Sequence, residues 1–89
     1  MEFEWDEAKA SRNEKKHAIP FPFAARVFLD ENRLERIDTR NEQSEPRWIT
    51  VRLIDGIEIV VAYTVRAGSI RLISARKAEK YERQDYWHR

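Results

Sequence analysis

The side chains in this sequence that can do chemistry are arginines, lysines, carboxylates and one well-placed histidine. Of the two histidines, His17 and His88, only His17 stands away from a terminus. Lys9, Asn13, Lys16 and His17 recur at i, i+4, i+7 and i+8, one stripe of a helix. On that stripe Lys16 or His17 can contact a phosphate or carry a proton, since imidazole ordinarily titrates near pH ~6.5. A second reading has His17 closing the helix by bonding a nearby carbonyl. From residue 47 onward the chain carries seven arginines and two lysines. Arginine presents a planar fork that matches phosphate. There is no cysteine, hence no thiolate chemistry and no disulfide framework, and no carboxylate cluster has metal-ligand spacing. Two glycines exclude a glycine-rich phosphate loop, and GxGxxG, GxxxxGK[ST] and GxSxG are all absent. No cofactor is expected. Metal-independent RNA cleavage is one reaction this residue set can support. The RNA brings its own nucleophile, the ribose 2′-OH, and the protein holds the phosphate, neutralises its growing charge and moves two protons.

The elements that must position these groups follow from local pattern. Phe3-Glu4-Trp5 alternates as a short strand. Asp6 is placed to cap a helix over Glu7 to His17, which Pro20 and Pro22 end. Pro22 suits the first turn of a second helix through Leu29, with Phe23/Val27 and Ala24/Phe28 at i, i+4. Arg33 to Asp38 reads as a strand and Thr39 to Pro46 as a polar loop. Arg47 to Ile54 and Ile57 to Val65 are β-branched runs around Asp55-Gly56, a strong hairpin turn. Ala67-Gly68 is a weaker turn before a strand over Ile70 to Ala75, and Lys77 to Trp87 closes as a helix. The expected fold class is α+β: N-terminal helices, an antiparallel meander and a C-terminal helix, one domain over residues 1–89.

Counting through two-residue turns sets Ile54 against Ile57, Trp48 against Tyr63, Val65 against Ile70 and Tyr63 against Leu72. Two rows then carry arginine pairs: Arg47–Thr64–Arg71, and, on the other face, Arg52–Ile59–Arg76. Each pair spans two strands, about 9–10 Å of backbone, so both guanidinium groups can reach one phosphate. The alternative is that these arginines lie over apolar neighbours or pair with carboxylates. Ser74, beside Arg76, can donate to a phosphate or tie off its strand. Trp48 and Tyr63 can stack on a base or pack in the core.

The apolar share of 42% over 89 residues, with ten aromatics, is enough for one small core and argues against a disordered tail. Residues 1–46 carry a net charge of −3 and residues 47–89 one of +4. A basic half suggests an anionic partner, or simply a solvated surface. No apolar run approaches the ~20 residues of a membrane helix, and the opening residues are charged without a signal-peptide core. A cytoplasmic location, with no membrane partner, is therefore expected.

The opening F-x-W-D-x-x-K-x-x-x-N-x-x-K-H-x-I-x-F, from Phe3 through Phe21, resembles the start of the BrnT toxins, and Ala24-Ala25-x-Val27-Phe28-x-Asp30 continues the likeness. Asp38-x-Arg40 and Glu45-x-Arg47 resemble the family's D-x-R…G-E-x-R segment. Ile73-Ser74-Ala75-Arg76-Lys77-Ala78, then Glu82-Arg83 and Tyr86, are similar to its closing tail. Ala18, Ser44 and Pro46 depart from that pattern: the first two stand where the family usually has glycine, and Pro46 separates Glu45 from Arg47. The resemblance implies a RelE-like fold and a growth-arresting ribonuclease. It also implies a BrnA-like antitoxin that binds DNA, with the pair assembled as a 2:2 heterotetramer that meets DNA only through the antitoxin. On this view Glu45 is a candidate general base towards the 2′-OH, or else a solvated loop carboxylate. His17, Glu45, Arg47 and Arg76 form the candidate catalytic set, and Lys16, Arg40, Arg71 and Ser74 the RNA-binding set. Two other classes compete. One is a non-catalytic module that binds a partner protein. The other, a DNA-binding module, is disfavoured because no helix–turn–helix or zinc pattern occurs.

Overall fold

The Asp6 carboxylate starts the first helix by accepting from Ala8 N at 2.9 Å and Lys9 N at 3.1 Å, two of the N–H groups a helix start leaves unpaired. A computed structural model of the chain describes residues 2–38 and 46–88. Its elements are β1 (Glu2–Glu4), α1 (Glu7–His17), α2 (Phe21–Ala24), a 3₁₀ helix (Ala25–Leu29), β2 (Leu34–Ile37), β3 (Trp48–Ile54), β4 (Ile57–Arg66), β5 (Ser69–Lys77) and α3 (Lys80–Trp87). The bounds of α1 are those expected. Ala18, left-handed at φ 59°, ends it by donating its N–H to Glu14 O at 2.8 Å. The second helix begins one residue before Pro22 and tightens to 3₁₀ geometry from Ala25. The closing helix is shorter than its pattern suggests, because Lys77 stays in β5. Glu79 then opens α3 through a reciprocal capping box with Glu82.

Both expected two-residue turns form. Asp55 and Gly56 lie at φ 50° and 82°, Ala67 and Gly68 at 49° and 83°, the positive pair that a type I′ hairpin requires. Strands β2 to β5 make an antiparallel meander. The sheet as a whole is mixed, however, with order β1-β5-β4-β3-β2, because β1 adds to β5 in parallel. The expected antiparallel meander is there, but Phe3-Glu4-Trp5 alone gives no sign of which strand it joins or in which direction. The partner of β1 is contributed 67 residues later, at Ser69.

The sheet packs on both faces. On the front face Ile19, Phe21, Ala24 and Val27 cover Ile54, Ile59, Val61, Tyr63, Leu72 and Ala75. On the back face Tyr86 and Ala78 cover Ile49, Val51 and Val60. Asp30 pins α3 there, accepting from the Tyr86 hydroxyl and from Leu53 N. Burial pushes the Asp30 carboxyl up, but these hydrogen bonds, that of Asn32 N and the nearby Arg52 charge outweigh it, and the net shift is downward. Among the described residues, β5 has no strand beyond Arg71 on the side that β1 pairs. The buried Asn13 side chain takes that place: it donates to Ala75 O at 2.9 Å and to Ile19 O at 3.2 Å, and accepts from Ala75 N at 3.1 Å. One amide thus answers a strand edge as another strand would.

The β3–β4 register is as counted, and so are Val65–Ile70, Thr64–Arg71 and Tyr63–Leu72. The next pair is Ala62–Ser74, so a bulge at Ile73 carries β5 one residue forward. Arg76 therefore opposes Val60, not Ile59, and points to the back face. The Arg52–Ile59–Arg76 row does not exist. Arg52 itself is fully buried on the front face, where it cannot meet RNA.

Candidate functional site

Directly opposed residues in an antiparallel pair share a face. Arg36 opposes Ile49, Thr64 opposes Arg71, Ser74 opposes Ala62 and Arg76 opposes Val60, which gathers these polar side chains on the back face. Asp38 N donates to Arg47 O at 2.8 Å, continuing the ladder beyond β3. One more step of the same register sets Arg47 against Thr64 and yields the row Arg47–Thr64–Arg71. This row lies outside the apolar cluster that Tyr86 and Ala78 cover.

The row has an uncommon polar balance. Thr64 is 5% exposed, and among the described residues its hydroxyl oxygen has no hydrogen-bond partner; the buried Nε of Arg47 has none either. Such groups are nearly always paired in native proteins, because leaving one unpaired costs about 1–3 kcal/mol. Arg71 makes no hydrogen bond or ion pair among the described residues and is half-buried beside them. Two guanidinium groups and a hydroxyl thus converge with bonding capacity that the described residues leave unused.

Around the edge of β5 lies a second basic feature. Lys9, Arg12, Asn13, Lys16 and His17 of α1 face Ile73 and Ser74 across a cleft of about 350 Å³. Lys9, Arg12 and Lys16 make no side-chain hydrogen bond or ion pair among the described residues. Neither does His17, so the carbonyl-capping reading fails: Ala18 N–H closes the helix instead. Ser74 belongs both to this cleft and to the back face beyond Arg71.

Arg76 is engaged elsewhere. Its guanidinium binds Glu82 through both carboxylate oxygens, at 2.7 and 2.9 Å, and Glu82 also accepts from Glu79 N at 2.8 Å. Burial pushes the Glu82 carboxyl up, but the Arg76 and Glu79 hydrogen bonds and the surrounding positive charge outweigh it and hold it below the ordinary 4.5. The pair's contribution is therefore complete above about pH 4.5 and is lost as pH falls through the lowered folded value. Arg76→Ala leaves a carboxylate that is 3% exposed without its cation. The expected loss at pH 7 is about 3 kcal/mol, the low end for a broken buried pair, since the Arg76 side chain is a third in solvent. In thermal unfolding, the gap between wild type and Arg76→Ala narrows as pH drops below about 4.5 and Glu82 becomes neutral.

The structure thus brings Arg47 and Arg71 into one row with Thr64, sets Lys16 and His17 across the cleft from Ser74, and diverts Arg76 to Glu82. Arg40 and Glu45 lie outside the described residues. Tyr63 is no base platform. It is buried with Phe28 stacked edge-on at 5.0 Å, and burial, reinforced by Glu35, pushes its hydroxyl up to about 12. Sequence reasoning gave no role to Thr64, although the register count placed it between two arginines. It also passed over Arg12, three residues from Lys9 on the same helical stripe.

Compared with known protein families, residues 5–82 match the family model described as "Ribonuclease toxin, BrnT, of type II toxin-antitoxin system". No curated protein matches the chain.

Proposed function

The chain belongs to the BrnT family of ribonuclease toxins of type II toxin–antitoxin systems, and from that premise we propose that it cuts RNA without a metal ion, at the Arg47–Thr64–Arg71 row. The supporting observation is the pair of buried, unpartnered groups in that row, Arg47 Nε and Thr64 Oγ1, flanked by the uncommitted Arg71. A phosphodiester seated there receives hydrogen bonds from both arginines and the hydroxyl. The ribose O2′ attacks the adjacent phosphorus, the P–O5′ bond breaks, and the products are a 2′,3′-cyclic phosphate and a 5′-hydroxyl. Two forks on the non-bridging oxygens neutralise the charge that grows there. The reaction takes one proton from O2′ and gives one to O5′. Glu45 is assigned the first transfer and His17 the second. Arg40, Lys16 and Ser74 bind flanking phosphate, and Arg76 holds α3 through Glu82.

Family membership implies an antitoxin partner. In this reading it is BrnA-like, forms a 2:2 heterotetramer with the toxin and provides the only contact with DNA. The toxin is one RelE-like domain that acts in the cytoplasm and arrests growth. The test is purified, antitoxin-free chain incubated with single-stranded RNA, with and without excess EDTA, followed by analysis of the product ends. Cyclic phosphate and 5′-hydroxyl ends, formed equally in EDTA, are expected. Cleavage abolished by EDTA, or 3′-hydroxyl ends, would overturn the mechanism. RNA left intact both here and in a translating extract would leave the non-catalytic interaction module as the better reading.

A further inference from the structure

From the cleft between α1 and the β5 bulge we infer a second RNA-backbone site, in which Lys9 and Arg12 hold the phosphates of nucleotides flanking the cleaved linkage. The inference rests on the ribonuclease reading for its substrate and extends it to residues with no part in the chemistry. Lys9, Arg12, Asn13, Lys16 and His17 are spaced so that one helical stripe faces the cleft. The acidic residues of α1, Glu7 and Glu14, do not line it. Asp6 is an opposing charge close by. It acts on Lys9 and Arg12, but its carboxylate is already committed to the N–H groups of Ala8 and Lys9.

The stripe is held in place by its one buried member. Asn13 anchors α1 to Ala75, so the three cations on either side of it stand at a fixed distance from the strand. The bulge at Ile73 bends β5 at this point and presents Ile73 and Ser74 to the cleft. Ser74 is the link. It lines the cleft and also follows Arg71 on the back face, so a strand lying on the Arg47–Thr64–Arg71 row continues past Ser74 towards Lys16. From Lys16 to Lys9 is two helical turns, about 10 Å, a track longer than one phosphate needs. An anionic, flexible, single-stranded ligand suits such a basic path, with affinity from counterion release and little sequence preference.

The test uses a single-stranded RNA oligonucleotide methylated at every 2′-oxygen, which removes the nucleophile's proton and leaves binding separable from cleavage. Fluorescence anisotropy compares wild type with Lys9→Ala/Arg12→Ala. Both positions are exposed on the helix, and alanine is its best former, so the fold is kept. Affinity is expected to fall about tenfold at ~0.1 M salt, and the salt dependence to become shallower by about 1–1.5 in log–log slope, the signature of two lost phosphate contacts. Cleavage of a dinucleotide, which carries the cleaved linkage but no flanking phosphate for Lys9 and Arg12, is expected to keep its wild-type kcat/KM. Unchanged binding overturns the inference. So does an equal loss on the dinucleotide, which would place Lys9 and Arg12 in the catalytic centre. Loss of antitoxin binding with RNA binding intact also overturns it and assigns the cleft to an acidic protein segment. If wild type cuts no RNA, the cleavage reading fails, while the anisotropy contrast still decides the binding site.

Discussion

Changing Arg47 and Arg71 together to alanine is expected to slow RNA cleavage by about a hundredfold or more and to leave the fold intact. The size follows from where the charge develops. Attack by O2′ concentrates negative charge on the non-bridging oxygens, and these two forks are the cations that the described structure leaves uncommitted beside Thr64. Stability is expected to hold because neither guanidinium makes a bond among the described residues that folding depends on, and Arg47→Ala removes a buried donor that has no partner. Cleavage by equal amounts of wild-type and variant protein, together with their melting temperatures, checks both halves. The single variants add information. If each alone costs nearly as much as the pair, the two arginines act on one phosphate; multiplying effects place them on separate phosphates. Undiminished cleavage by a folded double variant would move the chemistry off this face. Pairing Arg47 with Arg76 is a poorer choice. Loss of the Glu82 partner would lower activity through stability and blur the result.

The second large effect is on stability, at Arg52. This side chain is fully buried, donating from Nε to Thr50 Oγ1 at 2.9 Å, from one terminal nitrogen to Glu35 at 2.6 Å and from the other to Val27 O. Its guanidinium carbon sits 4.4 Å from the centre of the Phe28 ring. Burial, with the like charge of Arg33, pulls its pKa down to about 10 despite Glu35, so it remains a cation at neutral pH. It ties the 3₁₀ helix to β3 and β2 at once. Arg52→Ala opens a void, leaves the Val27 carbonyl with only the Asp30 N–H, and removes the buried cation beside Glu35. The expected cost is about 3–5 kcal/mol, as for removing one partner of a buried pair. In a domain of this size that is a fall in melting temperature of about 20 °C, a large part of the total stability. Arg52→Lys is not expected to rescue it, since an ammonium cannot reach three divergent acceptors. Circular dichroism melts check the point. A variant that melts within a few degrees of wild type would show that the network contributes little.

Much of this was legible where a local rule decides the outcome. Asp6 as helix cap, Asp55-Gly56 as hairpin turn and the register from Ile54–Ile57 to Trp48–Tyr63 need only neighbours in sequence. The bulge at Ile73 was not legible. An isoleucine in an apolar strand looks the same whether it is paired or skipped, and one skipped residue sends every later side chain to the other face. That single residue takes Arg76 out of the expected clamp, while Arg52 keeps its counted face and is lost to the clamp by burial. The parallel placement of β1 was hidden for a similar reason, because its partner is distant in sequence. The Arg47–Thr64–Arg71 row lay on the safe side of the bulge: Thr64–Arg71 was counted correctly and Arg47 follows by one further step.

The position of β5 also has a consequence for synthesis. Among the described residues it is the last strand in chain order, yet β1 has no other strand to join there, and Arg71 comes with it. Domains tend to fold from the N-terminus as they emerge, but this sheet must wait, because its long-range pairings close only when residues 69–77 are available. A nascent chain halted before that point holds Arg47 and Thr64 without their third member, on an unfinished sheet. On the proposed reading, the cleavage site is completed only once synthesis has passed β5, and the antitoxin has that interval before there is an assembled site to restrain.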